Sequence, residues 1–349
     1  MLFLFPAAAA ATGYVQVYAH RGARAFSPEN TLAAYKTGLR IGADWVDMDI
    51  VLTKDNEVLV SHDLVVNPDI ARDPRGNFLF KSREALKASP PEEKAAYDAK
   101  YTAKNLTLAE LQKFDVGRLN PDSAYSRFFP DQLPADGARM PTLLEVARYV
   151  NKATNGKAGF QIEMKTDPSH PEYSPDPKAF AEALYKALKA ADIIDRAEIQ
   201  AFDFRCLFEL QKLDKRVKTA YLTSRENENG AADSFFRDDA AAASVWTGGK
   251  LVRDYGGSIP KMVKALGGYA WEPEDAELTK ETLDEAHQLG LKVVVWSWPE
   301  LLGTAFDAKL VEKLIDWGVD GIITDDPGRL ASMLAARGKH MPPRYENAD

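Results

Sequence analysis

Residues 45–50 read Trp45-Val46-Asp47-Met48-Asp49-Ile50, and residues 159–165 read Gly159-Phe160-Gln161-Ile162-Glu163-Met164-Lys165. Side chains alternate across a strand, so each stretch has one apolar and one polar face. Asp47 and Asp49 share the polar face of the first, opposite Val46, Met48 and Ile50. Gln161, Glu163 and Lys165 share the polar face of the second, opposite Phe160, Ile162 and Met164. Strands with an apolar face for a helix layer, and carboxylates turned inward near their C-terminal ends, fit the staves of a barrel.

Working outward, similar runs occur at 15–19, 198–202, 218–222, 268–271, 292–296 and 321–324. These eight runs are mostly separated by helical patterns. Alternating β and α units in that number predict an α/β fold of the (β/α)8 TIM-barrel type. An open doubly wound sheet is the alternative, but no GxGxxG follows the first run. Helix starts are marked by capping boxes at Thr107/Glu110 and Thr142/Glu145. Pro28 reads as the first residue of a helix over 28–38, and Gly290 as a C-terminal cap.

The barrel is expected over residues 14–337, with a polar tail at 338–349. Between Asp63 and Pro141 the rhythm breaks, leaving charged, proline-containing sequence and one short helical pattern near 107–114. The spacing predicts an insertion over 64–140 beside the catalytic end, since long connections in compact domains are usually functional or disordered. A small separate domain is the alternative.

The chain has 349 residues, 45% hydrophobic and 28% charged, within the range of one large soluble α/β domain. A formal charge of -8, with no Lys/Arg block, argues against a nucleic-acid partner. The single cysteine, Cys206, excludes an internal disulfide and a cysteine-rich metal site. Residues 2–11, LFLFPAAAAA, are too short to span a bilayer. Residues 1–13 read as a signal-peptide remnant without its basic n-region, or as a disordered tail. The first reading places the protein in the periplasm or medium, the second in the cytoplasm. No membrane span and no signal of oligomeric state appears.

Chemistry-bearing residues fall at the ends of the strand-like runs. Adjacent inward carboxylates repel and lose hydration, which is costly without a cation. Asp47, Asp49 and Glu163 supply oxygen donors suited to Ca²⁺ or Mg²⁺. A solvated edge strand is the alternative for an isolated Asp-x-Asp, and zinc is the competitor for a His/Asp cluster. Lys165 offers a positive charge to an anion. Of five histidines, His20 ends the first run and His62 follows an apolar run at 58–60, so both should reach the catalytic face. His287 and His340 read as solvated, and His170 lies in a loop. Two histidines with an intrinsic pKa of about 6.5 can divide general base and general acid duties.

These residues resemble the glycerophosphodiester phosphodiesterase family. The matching motifs are His20-Arg21-Gly22, Pro28-Glu29-Asn30-Thr31, Asp47 with Asp49, His62-Asp63, and Glu163 with Lys165. Pro141-Thr142-Leu143, Gln200-Ala201-Phe202-Asp203, Val295-Trp296 and Thr324-Asp325-Asp326-Pro327 add to it. The resemblance runs from about Tyr14 to near Leu334. It departs where Asp47 replaces the usual glutamate, at Ala201, and in the length of the insertion.

The resemblance implies hydrolysis of a small glycerophosphodiester to sn-glycerol 3-phosphate and an alcohol, with a divalent cation held by Asp47, Asp49 and Glu163. It implies His20 and His62 as the general base and acid, in an order the sequence does not fix and with His20 taken here as base, Arg21, Lys165 and Trp296 at the substrate, and Glu29 and Asn30 in support. Two rival readings are a phospholipase acting on lysophospholipid or phospholipid, and a non-catalytic binding protein on the same barrel. The phospholipase reading would need an apolar rim, for which Phe78, Leu79, Phe80, Phe128 and Phe129 are the candidates. The binding-protein reading predicts erosion of a catalytic set that is present here.

Overall fold

A computed structural model of the chain describes residues 14–224 and 244–346. Residues 1–13, and with them the export reading, lie outside the described residues. Among the described residues the strands are β1 Gln16–Ala19, β2 Trp45–Leu52, β3 Val58–Val60, β4 Gly159–Met164, β5 Ala197–Ala201, β6 Lys218–Thr223, β7 Ala270–Pro273, β8 Lys292–Val295 and β9 Gly321–Thr324. All except β3 pair in parallel, in the order β1-β9-β8-β7-β6-β5-β4-β2, and the β1–β2 pairing closes the ring. The eight expected runs are the eight staves of a (β/α)8 barrel. The ninth strand, β3, turns back antiparallel on β2, with Val51 opposite Leu59.

The helices are α1 Leu32–Ile41, then α2 Arg83–Lys87, α3 Pro91–Tyr101 and α4 Leu108–Leu111 within the insertion. The remaining helices are α5 Leu143–Thr154, α6 Pro177–Ala191, α7 Phe204–Leu213, α8 Ile259–Ala265, α9 Lys280–Gln288, α10 Pro299–Leu302, α11 Ala308–Trp317 and α12 Pro327–Ala336. Both expected capping boxes are present, at the starts of α4 and α5. The expected helix at 28–38 starts later. Thr31 caps α1 by accepting from Ala34 N, and its hydroxyl donates to Pro28 O, so the proline belongs to the turn before the helix.

The alternation in β2 and β4 decides where everything else goes. Val46, Met48, Ile50, Phe160, Ile162 and Met164 are buried against Leu143, Val146 and Val150 of α5 and Phe180, Leu184 and Leu188 of α6. Each such side chain contributes about 1.5–3 kcal/mol relative to exposure. A one-residue slip would exchange this face for the carboxylates, so the register is strongly specified. Parallel pairing sets Asp47 opposite Gln161 and Asp49 opposite Glu163. At the other end of the barrel Tyr18 stacks on Trp45 with ring centroids 5.4 Å apart. Gly159 and Gly321 make room for those rings: a Cβ at either would fall 2.1 Å from Trp45 Cε3 or 2.5 Å from Tyr18 Cε2.

The insertion carries its own small core. Val66, Ala71, Ala103, Leu111, Val116 and Met140 bury against Val51 and Leu59, so β2 and β3 form the floor on which it rests. Its aromatics do not form an apolar rim. Phe129 is buried, Phe128 packs beside it, Phe80 packs edge-on to Tyr97, and Phe78 and Leu79 are half-buried. Among the described residues no helix is long and apolar enough to cross a membrane.

The turn after β1 presses on α1 through two glycines. Gly22 has φ +93°, and a Cβ on Gly38 would lie 2.0 Å from Gly22 O. Replacing a helical glycine by alanine normally gains up to about 1 kcal/mol. Here we expect Gly38→Ala to lose about 1–3 kcal/mol through overpacking. Urea denaturation measures this, and a midpoint at or above the parent's would contradict the close approach.

Candidate active site

The polar faces of the staves converge at the C-terminal mouth of the barrel. β1 ends in a tight turn, His20–Gly22, in which Arg21 has φ 49°. That left-handed conformation is uncommon for a residue other than glycine. It sends Arg21 back over the mouth, where it is 8% exposed. Its Nη1 donates to Glu29 Oε1 at 2.7 Å. Its Nε lies 3.2 Å from Asp49 Oδ2, poorly aligned, and has no hydrogen-bond acceptor among the described residues. Buried donors are nearly always satisfied, so this one is available to an anionic ligand.

The same turn delivers His20. Its Nδ1 is 2.7 Å from Asp325 Oδ1, at the end of β9. Arg24 grips that carboxylate in a fork, Nε to Oδ1 and Nη2 to Oδ2, both 2.9 Å. Bidentate pairing of this kind fixes geometry as well as charge. Burial, helped by the charges of Arg24 and Arg21, lowers the His20 pKa despite Asp325. The ring is therefore neutral at pH 7, with Nδ1–H directed at Asp325 and Nε2 left with a lone pair. Burial opposes the charge of Asp325, and Arg24 foremost, with the hydrogen bond from His20, holds its carboxyl ionised.

His62 is built in parallel on the extension after β3. Its Nδ1 is 3.2 Å from Asp63 Oδ1 and its Nε2 is 3.2 Å from Lys165 Nζ. Asp63 also accepts from Asn67 Nδ2 at 3.0 Å and from Arg83 of α2. Burial opposes its charge, and Arg83 foremost among its neighbours holds its carboxyl well below the usual range. The side chains of His20 and His62 are 20% and 23% exposed, open enough for a ligand to reach both.

Between the histidines stand the three inward carboxylates. Asp47 Oδ1 accepts from Gln200 Nε2 at 2.7 Å and its Oδ2 from Arg21 N at 3.2 Å. Asp49 Oδ2 accepts from Asn30 Nδ2 at 2.8 Å, and Asn30 Oδ1 in turn accepts from Tyr35 Oη at 3.0 Å. Glu163 Oε1 accepts from Lys165 Nζ at 2.6 Å. Burial and the neighbouring Asp49 charge push Asp47 well up. Burial also raises Glu163, while Arg21, His62 and Lys165 bring Asp49 down against its own burial. Among the described residues no three acidic, histidine or cysteine side chains form a ready metal cage. Trp296, half-buried, makes an aromatic wall with Phe202 and Trp298, at centroid distances of 5.3 and 5.1 Å, and donates to Glu272 O at 3.0 Å.

The expected residues therefore lie at one mouth, but two have tasks not expected. Glu29 reaches neither histidine by hydrogen bond; it takes Arg21 and Tyr125. Lys165 is held by Glu163 and also meets His62. Arg24, Arg83 and Tyr125 were not singled out as site residues, and Asp325 only as part of a motif. Arg24 lies within the His20–Thr31 turn and Asp325 at a strand end, signals that could have paired them. Tyr125 and Arg83 come from the insertion and carry no such signal.

A parallel barrel with two aspartate-paired histidines, an arginine with a free donor and inward carboxylates is built for acid–base chemistry on an anionic substrate. Residues 20–329 match the glycerophosphoryl diester phosphodiesterase family, and the chain belongs to that family. Glycerophosphodiester phosphodiesterase of Caldanaerobacter subterraneus is 24% identical over 92% of this chain and 98% of its own length. A structure from Silicibacter pomeroyi, provisionally named a glycerophosphoryl diester phosphodiesterase, is 26% identical with a TM-score of 0.74, covering 94% of this chain and 95% of that one. An Oleispira antarctica phosphodiesterase, solved with the product sn-glycerol-3-phosphate, shares the fold at 17% identity, with a TM-score of 0.60 over 92% of this chain and 97% of that one.

The Asp325 contacts make a kinetic prediction. With His20 as the general base, its lowered pKa should put the acid limb of kcat/KM below pH 6.5. Asp325 raises that pKa, so Asp325→Asn should move the limb to lower pH while cutting kcat/KM by about 10²-fold or more, through loss of tautomer and orientation. An acid limb that stays in place or rises would remove His20 as the titrating base.

Proposed function

We propose that this enzyme hydrolyses soluble glycerophosphodiesters to sn-glycerol 3-phosphate and an alcohol, by a two-histidine mechanism assisted by a divalent cation. The observation that carries the reading is the pair of histidines, each fixed by its own aspartate, flanking one carboxylate cluster in a chain of this family. Arg21 Nε and Lys165 Nζ receive the phosphate oxygens. His20 Nε2 takes a proton from the attacking water, whose oxygen forms the new bond to phosphorus. As the bond from phosphorus to the departing alcohol breaks, His62 Nε2 gives that oxygen a proton. Lys165 now lies at His62 Nε2; its movement to the phosphate frees that nitrogen for the transfer. Trp296 and Phe202 wall the apolar part of the substrate.

The donor set fits a hard cation. At the mouth the carboxylates are Glu29, Asp47, Asp49, Asp63, Glu163 and Asp325, and the fixed cations are Arg21, Arg24, Arg83 and Lys165. With all six carboxylates ionised, six negative charges against four positive leave a sum of minus two, the charge of one divalent ion with opposite sign; Asp47 and Glu163 are the two whose carboxyls burial pushes up without it. Asp47, Asp49 and Glu163 would hold Ca²⁺ or Mg²⁺, with oxygen donors of the kind both ions prefer. Such an ion supplies charge stabilisation to the phosphoryl oxygens and acidifies a bound hydroxyl. Glu163 would exchange Lys165 for the ion, which releases the lysine towards substrate.

Glycerophosphocholine with coupled detection of glycerol 3-phosphate tests the reading. Turnover is expected, with kcat lowered about 10²–10⁴-fold in His20→Ala and His62→Ala. Full activity in either variant would remove the two-histidine mechanism. EDTA treatment should abolish turnover, and Ca²⁺ or Mg²⁺ should raise the melting temperature of the stripped protein. Metal-free protein that turns over normally would remove the ion. Micellar lysophospholipid is expected to be the poorer substrate, and preference for it would favour the phospholipase reading.

A further inference from the structure

The insertion reaches the mouth through one hydroxyl. Tyr125 sits on a short 3-10 turn, Tyr125–Phe128, and its Oη donates to Glu29 Oε2 while accepting from Arg24 Nη1 at 2.7 Å. Glu29 and Arg24 are 3% and 2% exposed, so neither can exchange this partner for water. Beyond Glu29 lies Arg21, and beyond Arg24 lie Asp325 and His20. One phenol therefore joins the arginine that faces the phosphate to the assembly that holds the base. The turn is anchored independently of that contact. Phe129 lies under the Arg24 guanidinium at 4.6 Å, Gln132 Nε2 donates to Arg24 O at 2.7 Å, and Leu133 N donates to Phe26 O at 3.0 Å.

We propose that Tyr125 is a positioning residue for the phosphodiesterase reaction, holding Arg21 through Glu29 and His20 through Arg24 and Asp325, and that this is how the insertion bears on catalysis. A hydroxyl can donate one hydrogen bond and accept others, and here it does both between groups of opposite charge. Losing it leaves a buried carboxylate oxygen without a donor and a buried guanidinium N–H without an acceptor, an expensive outcome for charged groups. Tyr125 touches no reacting atom; its effect passes through Arg21 and His20. The proposal rests on the hydrolytic reading above.

The test compares Tyr125→Phe with Tyr97→Phe. Tyr97 is an equally insertion-borne tyrosine, 6% exposed, whose Oη donates to a backbone carbonyl, Val66 O, at 2.7 Å. For Tyr125→Phe, kcat/KM for glycerophosphocholine should fall at least about tenfold and sn-glycerol 3-phosphate should bind more weakly by calorimetry, with the size of effect that a charge-assisted hydrogen bond carries. Tyr97→Phe should lower the melting temperature and leave both values within about twofold. In the double variant Tyr125→Phe with Glu29→Gln, the losses should not multiply, because the two side chains act along one chain of contacts. Parent-like kcat/KM and product binding in Tyr125→Phe overturn the proposal while leaving the hydrolytic reading intact. Equal losses in Tyr97→Phe and Tyr125→Phe, or multiplicative losses in the double variant, also overturn it. A parent that neither turns over glycerophosphocholine nor binds the product overturns the hydrolytic reading, and this proposal with it. If Tyr125→Phe does not fold, Tyr125→His with its ring nitrogen as a polar replacement takes its place, judged by the same values.

Discussion

The structure depends on keeping a crowd of charges ionised where water is scarce. An isolated carboxylate buried away from water costs several kcal/mol, so every acidic group at the mouth has to be met by a donor or a cation. The chain meets this demand in relays. Arg24 holds Asp325, which holds His20; Arg83 holds Asp63, which holds His62; Glu29 holds Arg21, whose Nε faces Asp49. Each relay ends in a group at the mouth of the barrel. Those end groups are thus oriented by the same contacts that make the burial of their partners tolerable.

Those relays also explain what could be read from the sequence. The barrel follows from a local rule applied eight times, the alternation that puts Met48 and Ile162 under helices and Asp49 and Glu163 inside. The residues that end staves, His20, Asp49 and Glu163, inherit their positions from that rule. Partnerships between distant segments have no such rule. Asp325 lies 305 residues from His20, and Tyr125 lies 96 from Glu29. The insertion is legible as an interruption but not as a body, because its core is small and borrows Val51 and Leu59 from the sheet. The late start of α1 has a local cause: Thr31 caps the helix and uses its own hydroxyl to tie down Pro28.

Deeper in the barrel the polar face continues as a chain of neutral donors. Gln200 links Asp47 to Gln161, and Gln161 reaches Glu272 of β7. Burial and the charges of Glu198 and Asp47 push the Glu272 carboxyl well up, towards its neutral form. Below it, Lys292 pairs with Glu198 at 2.8 Å beside Tyr18. The mouth therefore rests on a layer in which one carboxyl is pushed towards its neutral form and the other is paired with a lysine. A second ionised carboxylate there would add to the deficit above it.

That layer gives the departure at Asp47 its physical meaning. Asp47 is a methylene shorter than glutamate, and both its oxygens are met by neutral donors, Gln200 Nε2 and Arg21 N. Asp49 and Glu163 instead face Arg21 and Lys165 directly. Neutral donors satisfy lone pairs but cancel no charge, so the repulsion from Asp49 and the loss of hydration fall on Asp47, whose carboxyl is pushed well up as a result. The shorter side chain stays among these amide donors. An added positive charge at the mouth would therefore change the ionisation of Asp47 more than that of Asp49, which its cationic neighbours already keep charged. The charge of Asp47 thus depends more on what the mouth binds than that of Asp49 does.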